Sequence, residues 1–161
     1  MAYLLFDQRV TEAALIALAE SEVETICIVP DISPGQIQKF STPLLKIYAR
    51  PVAMEPLLAT TDTVFTYGGI GSIAETLLAG VPMVLIPSTV EQYLVSKTVE
   101  TLGACILLDK ARDKNTILEA IKKMLSDSSY HRAAQGFAEK YRSSTPERCA
   151  ELAVEAILNN S

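Results

Sequence analysis

The sequence contains few of the residues that usually mark metal or redox chemistry. Among 161 residues there are one histidine and three cysteines. Cys27, Cys105 and Cys149 lie far apart, and no C-x-x-C pair is present, which argues against a redox role. Cys27 and Cys105 fall in apolar runs typical of strands. We therefore predict buried, reduced thiols in a cytoplasmic protein.

The chain also lacks an excess of positive charge and a long hydrophobic run. Its net charge of −5 argues against a nucleic-acid partner. An anionic ligand must then be bound by local amides rather than by a positive field. The longest apolar run, Leu77 to Pro87, contains glycine and proline and is too short to span a bilayer. Asp7, Arg9 and Glu12 interrupt the apolar start, so no signal peptide is predicted, while peripheral membrane contact stays open.

The remaining pattern is typical of one α/β domain, because short apolar runs alternate with amphipathic segments. The runs show little polar alternation, which predicts strands buried on both faces of a parallel sheet. We predict a Rossmann-like doubly wound sheet of about six strands followed by C-terminal helices. The predicted strands are Tyr3–Phe6, Thr25–Val29, Leu45–Tyr48, Thr63–Thr66, Pro82–Ile86 and Ala104–Leu108. The predicted helices are Thr11–Glu20, Pro34–Phe40, Met54–Ala59, Ile70–Ala79, Glu91–Leu102, Lys114–Leu125, Ser128–Tyr141 and Pro146–Leu158.

A glycine-rich turn leaves the fourth strand and opens a helix. It carries Gly68, Gly69 and Gly71, and it is followed by Ser72. Backbone amides at such a turn, together with the positive end of the helix dipole, form a site for phosphate. Glycine permits positive φ and leaves room for an anion to approach. The turn lacks the Lys-Ser/Thr of a P-loop, and it fits the dinucleotide fingerprint only with Ala74 in the last glycine position.

Two loops are predicted to meet at one edge of the sheet. The turn Tyr67–Ser72 and the loop Pro87–Gln92 each follow a strand directly. Ligands of doubly wound sheets bind beyond the carboxyl ends of the strands, near the point where the strand order reverses. Both loops are therefore candidates for the same binding site.

The spacing across these two loops resembles the donor-binding signature of the family 1 UDP-glycosyltransferases, which have the GT-B fold. The resemblance extends to Arg50–Asp62 and to the segment Tyr130–Tyr141. It implies that residues 1–161 form a single domain that binds a nucleotide sugar, most simply a UDP-sugar, as the C-terminal half of a longer enzyme. The matching residues are Tyr67-Gly68-Gly69-x-Gly71-Ser72-x-x-Glu75, Gly80-Val81-Pro82 and Pro87-x-x-x-Glu91-Gln92.

The resemblance also implies roles for individual residues. Tyr67, Gly68, Gly69, Gly71 and Ser72 would hold the donor diphosphate. Glu75 would bind the ribose, the backbone near Val52 the base, and Glu91 with Gln92 the donor sugar. No Asp-x-Asp pair is present to hold a divalent metal between the phosphates, which agrees with binding by amides and with the absence of a cofactor.

Several of these residues have purely structural interpretations. Ser72-x-x-Glu75 and Ser88-x-x-Glu91 are both capping-box patterns that need no ligand. Tyr67 stands where the family usually has histidine, and a phenol donates a hydrogen bond but carries no positive charge. Arg9 either contributes a charge to the diphosphate or lies in solvent, which is the more common situation.

The sequence offers no base for deprotonating an acceptor hydroxyl. Its one histidine, His131, lies in a polar helix after the sheet, and we interpret it as a surface residue. The chain is therefore expected to need an N-terminal domain or a partner subunit for catalysis. Two alternatives are a nucleotide-sugar binding module without turnover and, less well supported, an NAD(P)-binding domain in which Glu91 would contact the ribose.

Overall fold

The computed structural model describes residues 1–110 and 112–143. Their six strands form one sheet in the order β3-β2-β1-β4-β5-β6. Every neighbouring pair is parallel, as in the register Tyr3↔Thr66 between the two central strands. This confirms the predicted doubly wound, Rossmann-like sheet. The strands are β1 Ala2–Tyr3, β2 Thr25–Ile28, β3 Leu45–Tyr48, β4 Val64–Thr66, β5 Met83–Leu85 and β6 Cys105–Leu107.

Helices cover both faces of the sheet. One face carries the first, second and sixth helices, whose apolar residues share a core cluster with β1–β3. The other face carries the third, fourth, fifth and seventh. The helices are α1 Gln8–Glu20, α2 Pro34–Phe40, α3 Glu55–Leu58, α4 Ile70–Leu78, α5 Val90–Thr101, α6 Lys114–Ser126 and α7 Ser129–Lys140.

The strands differ in how far they are buried. Val64, Phe65 and Thr66 of β4 are all buried, as predicted for a strand covered on both faces. In β3, Leu45 and Ile47 are buried whereas Lys46 and Tyr48 are exposed. The prediction of burial on both faces is therefore wrong for β3, because this strand lies at the edge of the sheet.

Two predicted boundaries also need correction. β1 begins at Ala2 rather than Tyr3 and ends early, although Leu4 still donates its amide to the carbonyl of Ile28 at 2.9 Å. α1 begins at Gln8 rather than Thr11, because the Asp7 carboxylate accepts from the amide of Val10 at 3.0 Å and starts the helix there. The predicted helix Pro146–Leu158 lies outside the described residues.

No helix within the described ranges is long and apolar enough to cross a membrane.

We expect Cys27 and Cys105 to resist alkylation in the folded chain. Cys27 is 0% and Cys105 3% exposed, and burial raises the pKa of each thiol to about 12. Since the thiolate is the reactive form, iodoacetamide at pH 8 should modify neither until urea unfolds the chain. Peptide mass mapping checks this, and modification of either residue in the folded state would contradict it. Cys149 lies outside the described residues.

Candidate functional site

The carboxyl edge of the sheet contains the point at which the strand order reverses. The chain passes from β1 outward to β3, then crosses back to β4 on the other side of β1. β1 and β4 are neighbours, so the loops that follow them diverge and open a crevice between them. The turn Tyr67–Gly69 follows β4 directly into α4. The structure thus places the glycine-rich turn at the position where doubly wound folds bind ligands.

The three glycines of this turn differ in why the structure requires glycine there. Only Gly68 has a positive φ, at +86°, and a Cβ there would stand 2.9 Å from the hydroxyl of Ser96 on α5. At Gly69 a Cβ would stand 3.0 Å from the Tyr67 ring. At Gly71 it would meet nothing within 4 Å. The expectation that the turn needs positive φ therefore holds for Gly68 alone, whereas Gly71 leaves open space above the start of α4.

The N-terminus of α4 has no side-chain cap. Five helices of seven or more residues follow a strand in the described part of the chain, and four of them begin with a side-chain hydrogen bond to a backbone amide. α4 begins at Ile70, after Gly69 in the N-cap position, without such a bond, and Ser72 is its third residue. The interpretation of Ser72 and Glu75 as a capping box is therefore wrong. The four capping residues of the other helices are Asp7, Ser33, Thr89 and Asp113.

Tyr67 lies beside this helix start. Its ring centroid is 6.1 Å from that of Tyr3 on β1, with the planes tilted by 52°. The side chain is half-buried, and its hydroxyl would be 3.2 Å from a Cβ at Gly69. The phenol therefore lies at the same end of α4 as the uncapped amides.

The residues predicted to contact the rest of the nucleotide, Ser72 at the diphosphate, Glu75 at the ribose and Val52 at the base, spread from this point. Ser72 is half-buried in the first turn of α4, and Glu75 follows one turn later with an exposed side chain. Val52 is 37% exposed in the loop after β3. The carboxyl end of β3 is three strand positions from that of β4, a separation of roughly 14 Å. The structure therefore places Val52 at the same sheet edge but at a distance from the glycines.

The loop Pro87–Thr89 leads from β5 into α5, and Gln92 caps that helix. The Gln92 side-chain oxygen accepts from the amides of Ser88 at 2.8 Å and Thr89 at 3.2 Å. In return, the backbone amide of Gln92 donates to the Thr89 hydroxyl at 3.2 Å. The capping box predicted for Ser88 and Glu91 is therefore displaced by one residue to Thr89 and Gln92, which leaves the Glu91 side chain exposed.

Three residues near these loops were not identified from the sequence. Arg112, in the loop after β6, donates a hydrogen bond to the carbonyl of Pro87. The hydroxyls of Thr66 and Ser96 are buried and have no hydrogen-bond partner among the described residues. All three lie in ordinary sequence contexts, so no local pattern could have found them.

Two further residues considered from the sequence, Arg9 as a possible charge near the diphosphate and His131 as a surface residue, lie in different places. Arg9 is exposed in the first turn of α1, which also begins at the carboxyl edge of the sheet. His131 is half-buried on α7, after the sheet has ended. Only Arg9 therefore shares an edge with the glycine-rich turn.

Comparisons with known proteins agree with this fold. Residues 12–156 match the model of a family described as erythromycin biosynthesis protein CIII-like, C-terminal domain. A PGL/p-HBAD biosynthesis glycosyltransferase of Mycobacterium tuberculosis is 28% identical over 131 residues, which are 81% of this chain and 30% of that protein.

Solved structures show the same architecture. The glycotransferase of kitacinnamycin superimposes with a TM-score of 0.81 at 21% identity, over 96% of this chain and 42% of that chain. A spinosyn rhamnosyltransferase complexed with thymidine diphosphate superimposes with a TM-score of 0.73 at 21% identity, over 88% of this chain and 41% of that chain. The chain thus spans less than half the length of these proteins. It belongs to the family of erythromycin biosynthesis protein CIII-like C-terminal domains, and this confirms the predicted resemblance to the C-terminal domains of family 1 glycosyltransferases with the GT-B fold.

Proposed function

We propose that this chain is the donor-binding half of a glycosyltransferase, with the turn Tyr67–Ser72 holding the diphosphate of a nucleotide sugar. One observation carries the proposal. α4 begins uncapped at the reversal point of the sheet, whereas the other long helices that follow a strand are capped by their own side chains. Uncapped amides at a helix start bind anions because their partial positive charges sum with the dipole.

The neighbouring residues fit the remaining parts of the donor. Gly71 leaves open space beside the amides, and Ser72 offers a hydroxyl in the same turn of the helix. Glu75 lies four residues after Gly71 and so on the same side of α4, where an exposed carboxylate accepts from ribose hydroxyls. The backbone near Val52, at the far side of the crevice, would read the base. In this arrangement the amides meet the diphosphate without a metal ion.

Glu91 and Gln92 would hold the donor sugar. The Gln92 oxygen is occupied by the amides of Ser88 and Thr89, which fixes the side-chain amide in one orientation. Its two N–H groups then point away from the cap and can donate to sugar hydroxyls. The exposed Glu91 carboxylate in the same turn accepts from adjacent hydroxyls. The capping role of Gln92 thus preorganises the group that would bind the sugar.

An N-terminal domain or partner subunit would supply the acceptor site and the catalytic base. Four large apolar side chains at the carboxyl edge are more than half exposed, and exposed apolar surface of this kind favours a covering partner. The solved relatives are more than twice as long as this chain, which supports the same proposal. The exposed side chains are Leu5 at 54%, Ile70 at 65%, Val90 at 75% and Leu94 at 60%.

Isothermal titration calorimetry of the chain with UDP, dTDP, GDP and NADH tests the proposal. We expect UDP to bind, with dTDP as the alternative because a related structure was solved with thymidine diphosphate. Binding of NADH alone would favour an NAD(P)-binding domain, and flat titrations with all four would overturn the donor-binding function. UDP binding without sugar transfer, even after an N-terminal domain is supplied, would favour a binding module without turnover.

We expect Gln92→Ala to weaken a UDP-sugar by about tenfold while leaving UDP unchanged, because only the sugar loses its hydrogen bonds. Calorimetry with both ligands measures the difference. Gln36→Ala is a matched control, since Gln36 closes the corresponding capping box with Ser33 at the start of α2. Both variants lose a cap and a similar amount of stability. Equal weakening of UDP and UDP-sugar by Gln92→Ala would exclude Gln92 as a sugar contact.

A further inference from the structure

Arg112 connects two loops at the carboxyl edge of the sheet. It lies between β6 and α6, and its guanidinium donates a hydrogen bond through Nη2 to the carbonyl of Pro87. Pro87 lies between β5 and α5, and β5 pairs directly with β6. The side chain of Arg112 is half-buried. It links the loops that follow two neighbouring strands.

The segment that Arg112 holds is the one to which Gln92 is attached. Pro87 is followed by Ser88 and Thr89, whose amides both donate to the Gln92 side-chain oxygen. Pro87 itself has no amide hydrogen, so its carbonyl is the group through which the sheet-side end of this segment can be held. Arg112 therefore forms a hydrogen bond at one end of the segment Pro87–Thr89, and Gln92 forms hydrogen bonds with its other two residues.

Packing fixes only the sheet-side end of this segment, because Pro87 is buried. A cleft of about 400 Å³ separates the two loops, lined by Pro87, Ser88, Thr89, Val90, Tyr93, Asp109 and Arg112. The side chains of Ser88, Thr89 and Val90 are exposed. Without the hydrogen bond from Arg112, the segment has open space into which it can relax. The position of its exposed part, and with it the orientation of the Gln92 side-chain amide, depends on the hydrogen bond from Arg112 together with the capping bonds to Gln92.

We propose that Arg112 is a positioning residue for the donor sugar, which it affects by fixing the Pro87–Thr89 segment and thereby the Gln92 side chain. This inference rests on the proposed donor-binding function. Arg112 is assigned no contact with the sugar itself. A planar guanidinium suits this task because it presents several donors in a fixed geometry, so a lysine can replace only part of the contact.

Calorimetry with UDP and UDP-glucose tests the inference on three variants of the chain. Arg112→Ala should weaken UDP-glucose by about fivefold and change UDP by less than about twofold. Arg112→Lys should lie between Arg112→Ala and the unaltered chain. Lys110→Ala, which removes the same charge from the same loop, should change neither ligand. Circular dichroism and a melting curve establish that each variant is folded.

A second measurement needs no nucleotide. The side-chain amide signals of Gln92 in a ¹⁵N-¹H NMR spectrum are identified by their loss in Gln92→Ala. They should shift or broaden in Arg112→Ala and stay in place in Lys110→Ala, with the Gln36 amide as internal reference.

The possible failures are distinguishable. If the unaltered chain binds no UDP, the donor-binding function fails. If the unaltered chain prefers UDP-glucose to UDP and Arg112→Ala keeps that preference, or if the Gln92 signals do not move, the role of Arg112 is overturned while the function stands. Equal weakening of both nucleotides by Arg112→Ala and Lys110→Ala would also overturn it, because a general charge effect would then suffice.

Discussion

Binding of UDP is expected to be lost when Gly69 is replaced by valine. A Cβ at Gly69 would stand 3.0 Å from Cε2 and 3.2 Å from the hydroxyl of Tyr67. The two further methyl groups of valine cannot be placed without displacing this ring or covering the amides at the start of α4. We expect affinity for UDP to fall more than about 100-fold, a change of ~2.7 kcal/mol, by calorimetry.

Gly35→Val is the control for this loss. Gly35 lies in the first turn of α2, where an added Cβ meets nothing within 4 Å, and this helix is capped by Ser33. UDP binding should be unchanged there. The double variant Gly69→Val with Tyr67→Ala separates the two causes, since restored binding would identify the displaced ring as the obstacle. Normal UDP binding by a folded Gly69→Val chain would remove this turn from the diphosphate site.

Replacement of Gly68 by alanine should lower the stability of the fold by about 2–3 kcal/mol. Its φ of +86° costs an L-residue ~1–2 kcal/mol. The new Cβ would also stand 2.9 Å from the hydroxyl of Ser96, which is buried on α5. This close contact adds ~1 kcal/mol of strain. Urea denaturation with the linear extrapolation measures the change.

Two further variants divide this cost. Gly103→Ala also forces a positive φ, at +73°, but its Cβ would meet only the Ala133 Cβ at an ordinary 3.7 Å, so it should lose the φ contribution alone. Ser96→Ala removes a buried hydroxyl without a partner among the described residues and should alter stability by less than about 1 kcal/mol. Combined with Gly68→Ala, it should restore ~1 kcal/mol. If the changes in unfolding free energy of the two single variants simply add in the double variant, the new Cβ at position 68 and the Ser96 hydroxyl do not clash.

The sequence predicted the layered fold because its information about secondary structure is local. Apolar runs bounded by glycine or proline located all six strands, and the alternating helices implied a parallel sheet. The position of β3 at the sheet edge was less accessible. Its alternation of Leu45 and Ile47 with Lys46 and Tyr48 occupies only four residues, and so short a pattern is easily taken for a fully buried strand.

Capping patterns were the least reliable local signal. Both Ser72-x-x-Glu75 and Ser88-x-x-Glu91 fit the capping-box pattern, and neither forms one. Thr89 and Gln92 fit it equally well one residue later, and the geometry of the chain leaving β5 selects them. The start of a helix is a backbone property, so a pattern that reads only side chains leaves it uncertain by a residue or more.

The contacts between loops could not be predicted at all. Arg112 and Pro87 are 25 residues apart, and Gly68 meets Ser96 only because α5 packs against the turn. Such contacts arise from the arrangement of neighbouring strands, which no spacing within the sequence encodes. The resemblance to glycosyltransferases located the candidate site, but its internal supports are visible only in the fold.

The two-residue strand β1 has a consequence for how the crevice is held together. β1 is the sole strand that pairs with both β2 and β4 in the described sheet. In the described sheet, the strand-pairing hydrogen bonds between the half carrying β2–β3 and the half carrying β4–β6 therefore all pass through Ala2, Tyr3 and the adjoining residues. Val52 follows β3 and the turn Tyr67–Ser72 follows β4. The base and the diphosphate would therefore be bound by opposite halves of the sheet. Removing these residues should thus break the strand pairing between the two halves, which the packing of α1 against α6 would still hold together.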